Sequence, residues 1–194
     1  MKTTLRTAAV VCLVLTAASL RAADTYTIDP AHSNVGFGVT HLVINTVHGK
    51  FTEFSGTVAV EGSEVKQATG TIQAKSIDTG IERRDTHLKS ADFFEVAKFP
   101  TITFQSKRAE KKGGETILVG DFTMHGVTKE LALPVTLKGP IKDPWGKSRI
   151  GLQARTKLNR KDYGLKYNQA METGGLVVGD EIELEINAEA VKAN

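Results

Sequence analysis

Apolar and polar residues alternate along most of this chain with a period of two. The clearest run spans residues 181–189, where apolar residues at even positions alternate with polar residues, four of them glutamate. Such alternation is typical of half-buried antiparallel strands, because successive side chains of a strand point to opposite faces. Further runs with the same pattern begin at Val35, Val58, Ile102, Leu131 and Ile150. The sequence therefore predicts an all-β fold.

Short turns separate the predicted strands. Lys111–Gly114 has the composition of a hairpin tip, and Asp143–Gly146 has Asp, Pro and Gly at the positions that a type I turn favours. Strands joined in this way indicate a sandwich or a barrel. Pro134 interrupts the run that begins at Leu131, and this predicts a strand edge or a bulge, because proline has no N–H to donate.

Residues 81–97 are the exception, since no alternation fits them. Asp92–Glu95 has the Asp-x-x-Glu form of a capping box, which favours a helix. We predict a short helical segment over about residues 81–97 that lies across one end of a barrel. A closed barrel of about eight strands is wide enough to hold one small ligand, and a helix at its mouth is a natural lid.

The first residues have the layout of a secretory signal peptide. Lys2 and Arg6 form a positive n-region, an apolar h-region spans residues 8–15, and small residues lead to Ala22 and Ala23. We predict that residues 1–22 are removed near Ala22/Ala23, which leaves residues 23–194 as a single domain in the periplasm.

Export changes the charge balance and the cysteine content of the chain. Loss of Lys2, Arg6 and Arg21 leaves 22 basic residues against 22 acidic ones, so the mature chain is formally neutral and its charge does not favour a nucleic-acid partner. Its one cysteine, Cys12, lies in the h-region. The mature domain therefore has no disulfide, and its stability depends on its core.

Few residues form a pattern that favours catalysis or metal binding. Asp29, His32 and Ser33 resemble parts of a triad, but they lie too close in sequence, and we expect Asp29 and Ser33 to satisfy local backbone groups at a turn. The five histidines show no metal-binding spacing. We predict no catalytic residue, no metal site and no cofactor, although two histidines can still converge in space to ligate haem.

The predicted cap combines charged and large apolar residues. Arg84, Asp85 and His87 precede Phe93 and Phe94. If the segment covers a barrel, Arg84 and His87 can face inward as donors to an anionic head group, since the arginine fork suits phosphate. Asp85 then holds the arginine in place. The alternative, a solvated face with a structural ion pair, has equal weight at this point.

Four stretches, in order, resemble the YceI-like family. They are the opening Tyr26–Phe37, the central Arg84–Phe104, the Gly120–Lys129 stretch and the Asn159–Gly164 turn. The Gly49–Gly56 bend also fits. Two positions depart from the family pattern: Tyr163 stands where phenylalanine is usual, and Lys166-Tyr167 where tryptophan is usual.

This resemblance implies an exported, lipocalin-like antiparallel barrel that binds polyisoprenoids and related long-chain lipids. We expect the protein to sequester or carry such a lipid, of polyprenyl or quinone type, with its head group near Arg84, Asp85 and His87. The residues expected to line the tail site are apolar and share the inward strand faces: Phe37, Val39, Phe104, Phe122, Met124, Ile150 and Leu152.

Two alternatives remain at this point. The first is a quinone- or haem-linked redox accessory protein with a cytochrome partner, and the second is a stress-response barrel whose interior is a filled core. A membrane that donates or accepts the lipid is a further possible partner, and homodimerisation is open.

Overall fold

The computed structural model describes residues 22–172 and 174–193, so the predicted signal peptide, apart from Ala22, lies outside the described residues. The strands, all paired antiparallel, are β1 Asp24–Ile28, β2 Asn34–His41, β3 Asn45–Phe51, β4 Phe54–Glu61, β5 Glu64–Gln73, β6 Ile77–Asp78, β7 Thr101–Lys112, β8 Glu115–Met124, β9 Val127–Lys142, β10 Ser148–Asn159 and β11 Val178–Lys192. One helix, α1, spans Glu82–Lys89 among the described residues. The predicted strands are confirmed.

Eight strands close into a ring. The neighbours follow the order β1, β4, β5, β7, β8, β9, β10 and β11, and β11 pairs back to β1. The N-terminal part of β11, from Val178 to Asn187, pairs instead with β2. Strand β2 pairs in turn with β3, and β3 pairs with β6. The predicted lipocalin-like antiparallel barrel is therefore confirmed, and β2, β3 and β6 extend its wall at one end, called here the mouth end.

A short 3-10 helix, Pro30–His32, separates β1 from β2. The Asp29 carboxylate accepts from the Ala31 backbone N–H at 3.1 Å, and the Ser33 hydroxyl donates to the Asp29 carbonyl at 2.7 Å. Both side chains therefore satisfy local backbone groups, as predicted. Because of this break, β1 and β2 pair one after the other with different parts of the same strand, β11.

The segment that covers the mouth end contains less helix than the sequence predicted. Helix α1 ends at Lys89, and turns continue through Asp92–Glu95. The predicted capping box is wrong: the Asp92 carboxylate lies 2.7 Å from His87 Nε2 instead of capping a helix, and Glu95 has φ 45°. The turns direct Phe93 and Phe94 inward, and Phe94 contacts Phe51 edge to face at 6.0 Å.

The interior consists of two apolar clusters stacked along the barrel. The lower cluster surrounds Tyr26, Leu118 and Ile150, which are almost completely buried. The upper cluster, below the cap, surrounds Phe51 and Phe122. Phe104 packs against both clusters.

The pairing of strand β9 changes next to Pro134. Strand β9 pairs with β8 from Val127 to Val135, but with β10 only from Val135 onward. Pro134 therefore lies where one edge of β9 has no ladder partner, as predicted from its missing N–H.

Among the helices of residues 22–172 and 174–193, none combines the length and the apolar composition needed to cross a bilayer.

Candidate functional site: a row of apolar cavities

Three cavities follow one another from the barrel interior to the mouth end. The lower cavity has a volume of about 130 Å³, the upper cavity about 90 Å³ and the mouth cavity about 230 Å³. Neighbouring cavities share wall residues. Ile72, Ile102, Phe122 and Leu184 line both the lower and the upper cavity, so they form the partition between the two. Phe37, Val39, Leu88, Phe93 and Val178 line both the upper and the mouth cavity.

Two glycines in the strand wall border the lower cavity, and one of them creates space in it. Gly56 of β4 and Gly70 of β5 pair directly, and both line the cavity. A Cβ on Gly70 would meet nothing closer than the Ser55 carbonyl at 4.0 Å, whereas one on Gly56 would lie 2.4 Å from the Thr69 carbonyl. Gly70 thus leaves open volume inside the barrel. Neither residue was predicted as part of a site, although glycine within a strand is itself a signal of close approach or open space.

Six of the seven residues expected to line a tail site border these cavities. Phe104 and Leu152 line the lower cavity, Phe37, Val39 and Met124 the upper cavity, and Phe122 both. The seventh, Ile150, is 1% exposed and packs within the lower cluster, where it borders none of the three cavities.

Helix α1 places Arg84 and His87 on the wall of the mouth cavity. The Arg84 guanidinium donates from Nε to the Thr79 hydroxyl at 2.7 Å and from Nη2 to the Thr79 carbonyl at 2.8 Å. Asp85 accepts from the Thr79 backbone N–H and hydroxyl, so the hydroxyl links the two side chains. Asp85 itself does not line the mouth cavity. It orients Arg84 through Thr79.

His87 lies among aromatic rings at the same wall. Phe93 and Tyr167 approach its ring edge to face, with centroids 5.1 and 4.9 Å away. The Asp92 carboxylate lies 2.7 Å from His87 Nε2. The mouth cavity therefore combines donors with aromatic surfaces. Tyr167, at one of the positions that depart from the family pattern, also lines it.

Tyr163, at the other position that departs, is not in the mouth cavity. Its ring is buried against Phe122 at 5.4 Å, edge to face, in the upper cluster. Burial raises the pKa of the Tyr163 hydroxyl, with the neighbouring Asp162 charge as a second cause.

Arg160 is a buried cation that sequence analysis missed. It is 2% exposed and lines the upper cavity, and its guanidinium donates to the carbonyls of Leu165 at 2.6 Å and Gly179 at 2.9 Å. Burial lowers the pKa of Arg160, although the Asp180 carboxylate opposes this effect. The side chain ties the segment before β11 to the upper wall. No motif in the sequence indicated this role, because the partners are backbone carbonyls, and that of Gly179 lies 19 residues further along the chain.

A cluster of charged groups lies near the β9–β10 turn, at the opposite end of the barrel. Arg149 contacts three carboxylates, those of Asp143 at 2.8 Å, Asp29 at 3.0 Å and Glu189 at 2.7 Å. Asp29, His32 and Glu189 are near enough to hold a metal ion in geometric terms, with ligand atoms within 4.8 Å of one another. Arg149 already supplies the positive charge there. This cluster is structural.

The Arg149 cluster predicts a specific loss of stability in acid. The His32 ring and the Arg149 guanidinium lower the pKa of Asp29, and Arg149 also lowers the pKa of Asp143. Because these folded-state pKa values lie below the unfolded ones, their stabilisation is complete above the usual carboxyl pKa and is lost as pH falls through the folded values. We expect Arg149→Met to lower the melting temperature at pH 7 and to flatten its decline between pH 5 and pH 2.

Thermal unfolding at a series of pH values measures this effect. Lys107→Met is the control, since it removes an exposed cation that pairs with Asp121 at 2.6 Å. An Arg149→Met profile parallel to that of the wild type would contradict the assignment.

The ring, the apolar interior and the partly helical cap define the class of protein to which this chain belongs: the lipocalin-like barrels. The family model of the YceI-like domain matches residues 26–190, and the chain therefore belongs to the YceI-like family. The resemblance seen in the sequence is confirmed.

Known proteins agree with this assignment. A UPF0312 protein of Staphylococcus aureus is 40% identical over 169 residues, which cover 84% of this chain and 95% of the relative. The crystal structure of a Campylobacter jejuni YceI protein is similar with a TM-score of 0.69 and 32% identity, covering 86% of this chain and 96% of that one.

Two more distant structures share the fold. BcnA of Burkholderia cenocepacia has a TM-score of 0.73 at 21% identity, with 84% of this chain and 98% of that one covered. A polyisoprenoid-binding domain from Saccharophagus degradans has a TM-score of 0.66 at 16% identity, with 87% and 98% covered.

Proposed function

We propose that this protein binds one long-chain isoprenoid lipid, with the tail inside the barrel and the head group at the mouth end. The observation that carries the proposal is the row of three cavities, which share wall residues in succession from the lower cluster to Arg84 and His87. A similar fold in a polyisoprenoid-binding domain supports the same ligand class. The role is sequestration or carriage, without catalysis.

The sizes of the cavities suit segments of a flexible tail. The lower and upper cavities, of about 130 and 90 Å³, are comparable to an engineered apolar cavity of about 150 Å³ that stays dry and binds benzene. Passage of a tail between them requires rotamer changes in the partition, above all at Phe122. Each buried methylene contributes about 0.8 kcal/mol, so the tail supplies the affinity and the head group supplies the orientation.

The donors left on Arg84 suit an anionic or quinone head group. A guanidinium has five N–H groups, and the contacts with Thr79 engage only those of Nε and Nη2. The remaining donors are available at the wall of the mouth cavity. A pyrophosphate accepts several of them, while a quinone carbonyl accepts one.

We also propose that the protein works after export to the periplasm. The positive n-region and apolar h-region of residues 1–22 support this, and intact-mass measurement of the protein secreted by its native host tests it. We expect a chain that begins near Ala23. A full-length chain in the cytosolic fraction would contradict export.

Native mass spectrometry tests the ligand. We expect the mature protein to carry, or to take up, one prenyl lipid per chain, and extraction then identifies a polyprenyl phosphate or a quinone. A protein that is ligand-free as purified and takes up no added prenyl lipid would overturn the proposal and favour the filled stress-response barrel.

Arg84→Ala tests the head-group site. We expect this change to weaken the binding of a pyrophosphate-headed prenyl lipid by about 1–3 kcal/mol, the contribution of charged hydrogen bonds that are no longer made. Arg83→Ala is the matched control, because Arg83 is exposed on the same helix and borders none of the three cavities. Calorimetric titration of both variants measures the difference. Equal affinities, with a lower melting temperature for Arg84→Ala alone, would make Arg84 purely structural.

A further inference from the structure

Exposed apolar side chains are concentrated around the mouth end. Within residues 22–172 and 174–193, seven large apolar side chains are exposed. Five belong to segments that border the mouth cavity: Leu42, Val43, Ile44, Ile81 and Leu176. The other two, Ile141 and Trp145, lie at the β9–β10 turn near the Arg149 cluster, at the opposite end of the barrel.

The tip of the β2–β3 hairpin is the centre of this apolar surface. Its three loop residues, Leu42, Val43 and Ile44, are 36%, 67% and 84% exposed. They form the tip loop. The Leu42 backbone N–H donates to the Val177 carbonyl at 2.9 Å, and this bond fixes the tip beside the segment that contains Leu176.

The backbone of the tip loop is strained. Leu42 has φ 52° and Val43 has φ 64°, both in the left-handed region, where a β-branched residue is a genuine outlier. Glycine or asparagine would relieve the strain at these positions. Instead, the chain keeps large apolar side chains there and exposes them. Strain of this kind is a reason to look for a function at the tip loop.

Charge is absent from the tip. No Asp, Glu, Lys or Arg occurs from His41 to Val47, whereas the turn at the other end carries Lys142, Asp143 and Lys147. An uncharged, protruding apolar loop matches the interfacial region of a bilayer, where apolar side chains enter between lipid head groups. His41, Val47 and Val177 line the mouth cavity, so the tip loop lies at its rim.

We propose that the tip loop, with Leu176 beside it, inserts into the surface of a phospholipid bilayer and brings the mouth cavity against the membrane. This inference rests on the proposed function for its purpose, since an isoprenoid lipid resides in membranes and would then move between bilayer and barrel without crossing water. The docking itself depends only on the exposed apolar loop.

Vesicle co-sedimentation tests the docking. The probe is a vesicle of phosphatidylethanolamine and phosphatidylglycerol without prenyl lipid, and the test variant is Val43→Asn/Ile44→Ser. We expect its vesicle partition coefficient to fall roughly 10-fold or more, because two exposed apolar side chains are lost. Since asparagine tolerates a positive φ, the melting temperature should stay the same or rise.

The matched control is Ile141→Ser/Trp145→Ser, which removes at least as much exposed apolar surface from the opposite end. We expect it to bind vesicles like the wild type. Equal losses in the two double variants, or a wild type that does not bind vesicles, would overturn the docking. So would a dimer in sedimentation velocity that only the tip-loop variant abolishes, because the loop would then contact a second copy.

Uptake of a prenyl lipid delivered from detergent separates this inference from the proposed function. We expect the tip-loop variant to retain that uptake, because the interior is unchanged. A wild type that binds vesicles but takes up no prenyl lipid would support the docking and overturn the proposed function.

Discussion

Gly70→Val is expected to weaken the binding of a long prenyl chain by at least about tenfold while leaving the barrel as stable as before or more stable. The lower cavity measures about 130 Å³, Gly70 lines it, and a Cβ at position 70 would meet no atom closer than 4.0 Å. Tenfold corresponds to about 1.4 kcal/mol, less than the contribution of two tail methylenes that the valine displaces. Filling the cavity adds apolar contacts, and removal of a strand glycine lowers the entropy cost of folding.

Gly151→Val is the matched control. Gly151 also lies within a strand, and a Cβ there would be 3.7 Å from Lys138 Cβ, in ordinary contact, outside the three cavities. Native mass spectrometry with a prenyl lipid, together with thermal unfolding, measures both effects. If Gly70→Val takes up the lipid as well as Gly151→Val does, the tail does not occupy the lower cavity.

Arg160→Ala is expected to destabilise the protein by about 3 kcal/mol, which lowers the melting temperature by roughly 10 °C for a domain of this size. The carbonyls of Leu165 and Gly179 lose their donors inside the protein, and Asp180 loses one of its two cations, with Lys161 remaining at 2.8 Å. A buried acceptor without a partner has a high cost because no water replaces the lost hydrogen bond.

Arg155→Ala provides the comparison. Arg155 is an exposed arginine of β10, and its pair with Glu185 is open to solvent. Exposed pairs contribute about 0–1 kcal/mol, so we expect little change in the melting temperature. Denaturant unfolding of the two variants measures the difference. Similar free energies of unfolding would show that Arg160 does not hold the segment before β11.

Local pattern accounts for most of what the sequence predicted correctly. Alternation such as that of residues 181–189 reports which face of a strand is buried, and the edge position of Pro134 follows from its missing N–H. The cap was predicted less well. Asp92–Glu95 matches a capping box, yet Asp92 contacts His87 and Glu95 adopts φ 45°, because packing of Phe93 and Phe94 into the barrel outweighs a weak local preference for helix.

The candidate site depended on contacts between distant parts of the chain. Alternation placed Phe122 and Ile150 on inward faces, but it could not separate Phe122, which borders two cavities, from Ile150, which packs in a filled cluster. Arg84 was expected at the mouth, whereas its anchor Thr79 was not.

The strands, their inward faces and the family were therefore predictable from residue types and their spacing, since these reflect short-range backbone geometry and the burial of apolar surface. The position of the cavities, the bonds of Arg160 and the exposed tip loop were not readable. They depend on how strands far apart in sequence close into a ring. They also depend on where paired glycines, such as Gly56 and Gly70, place no side chain in the barrel interior.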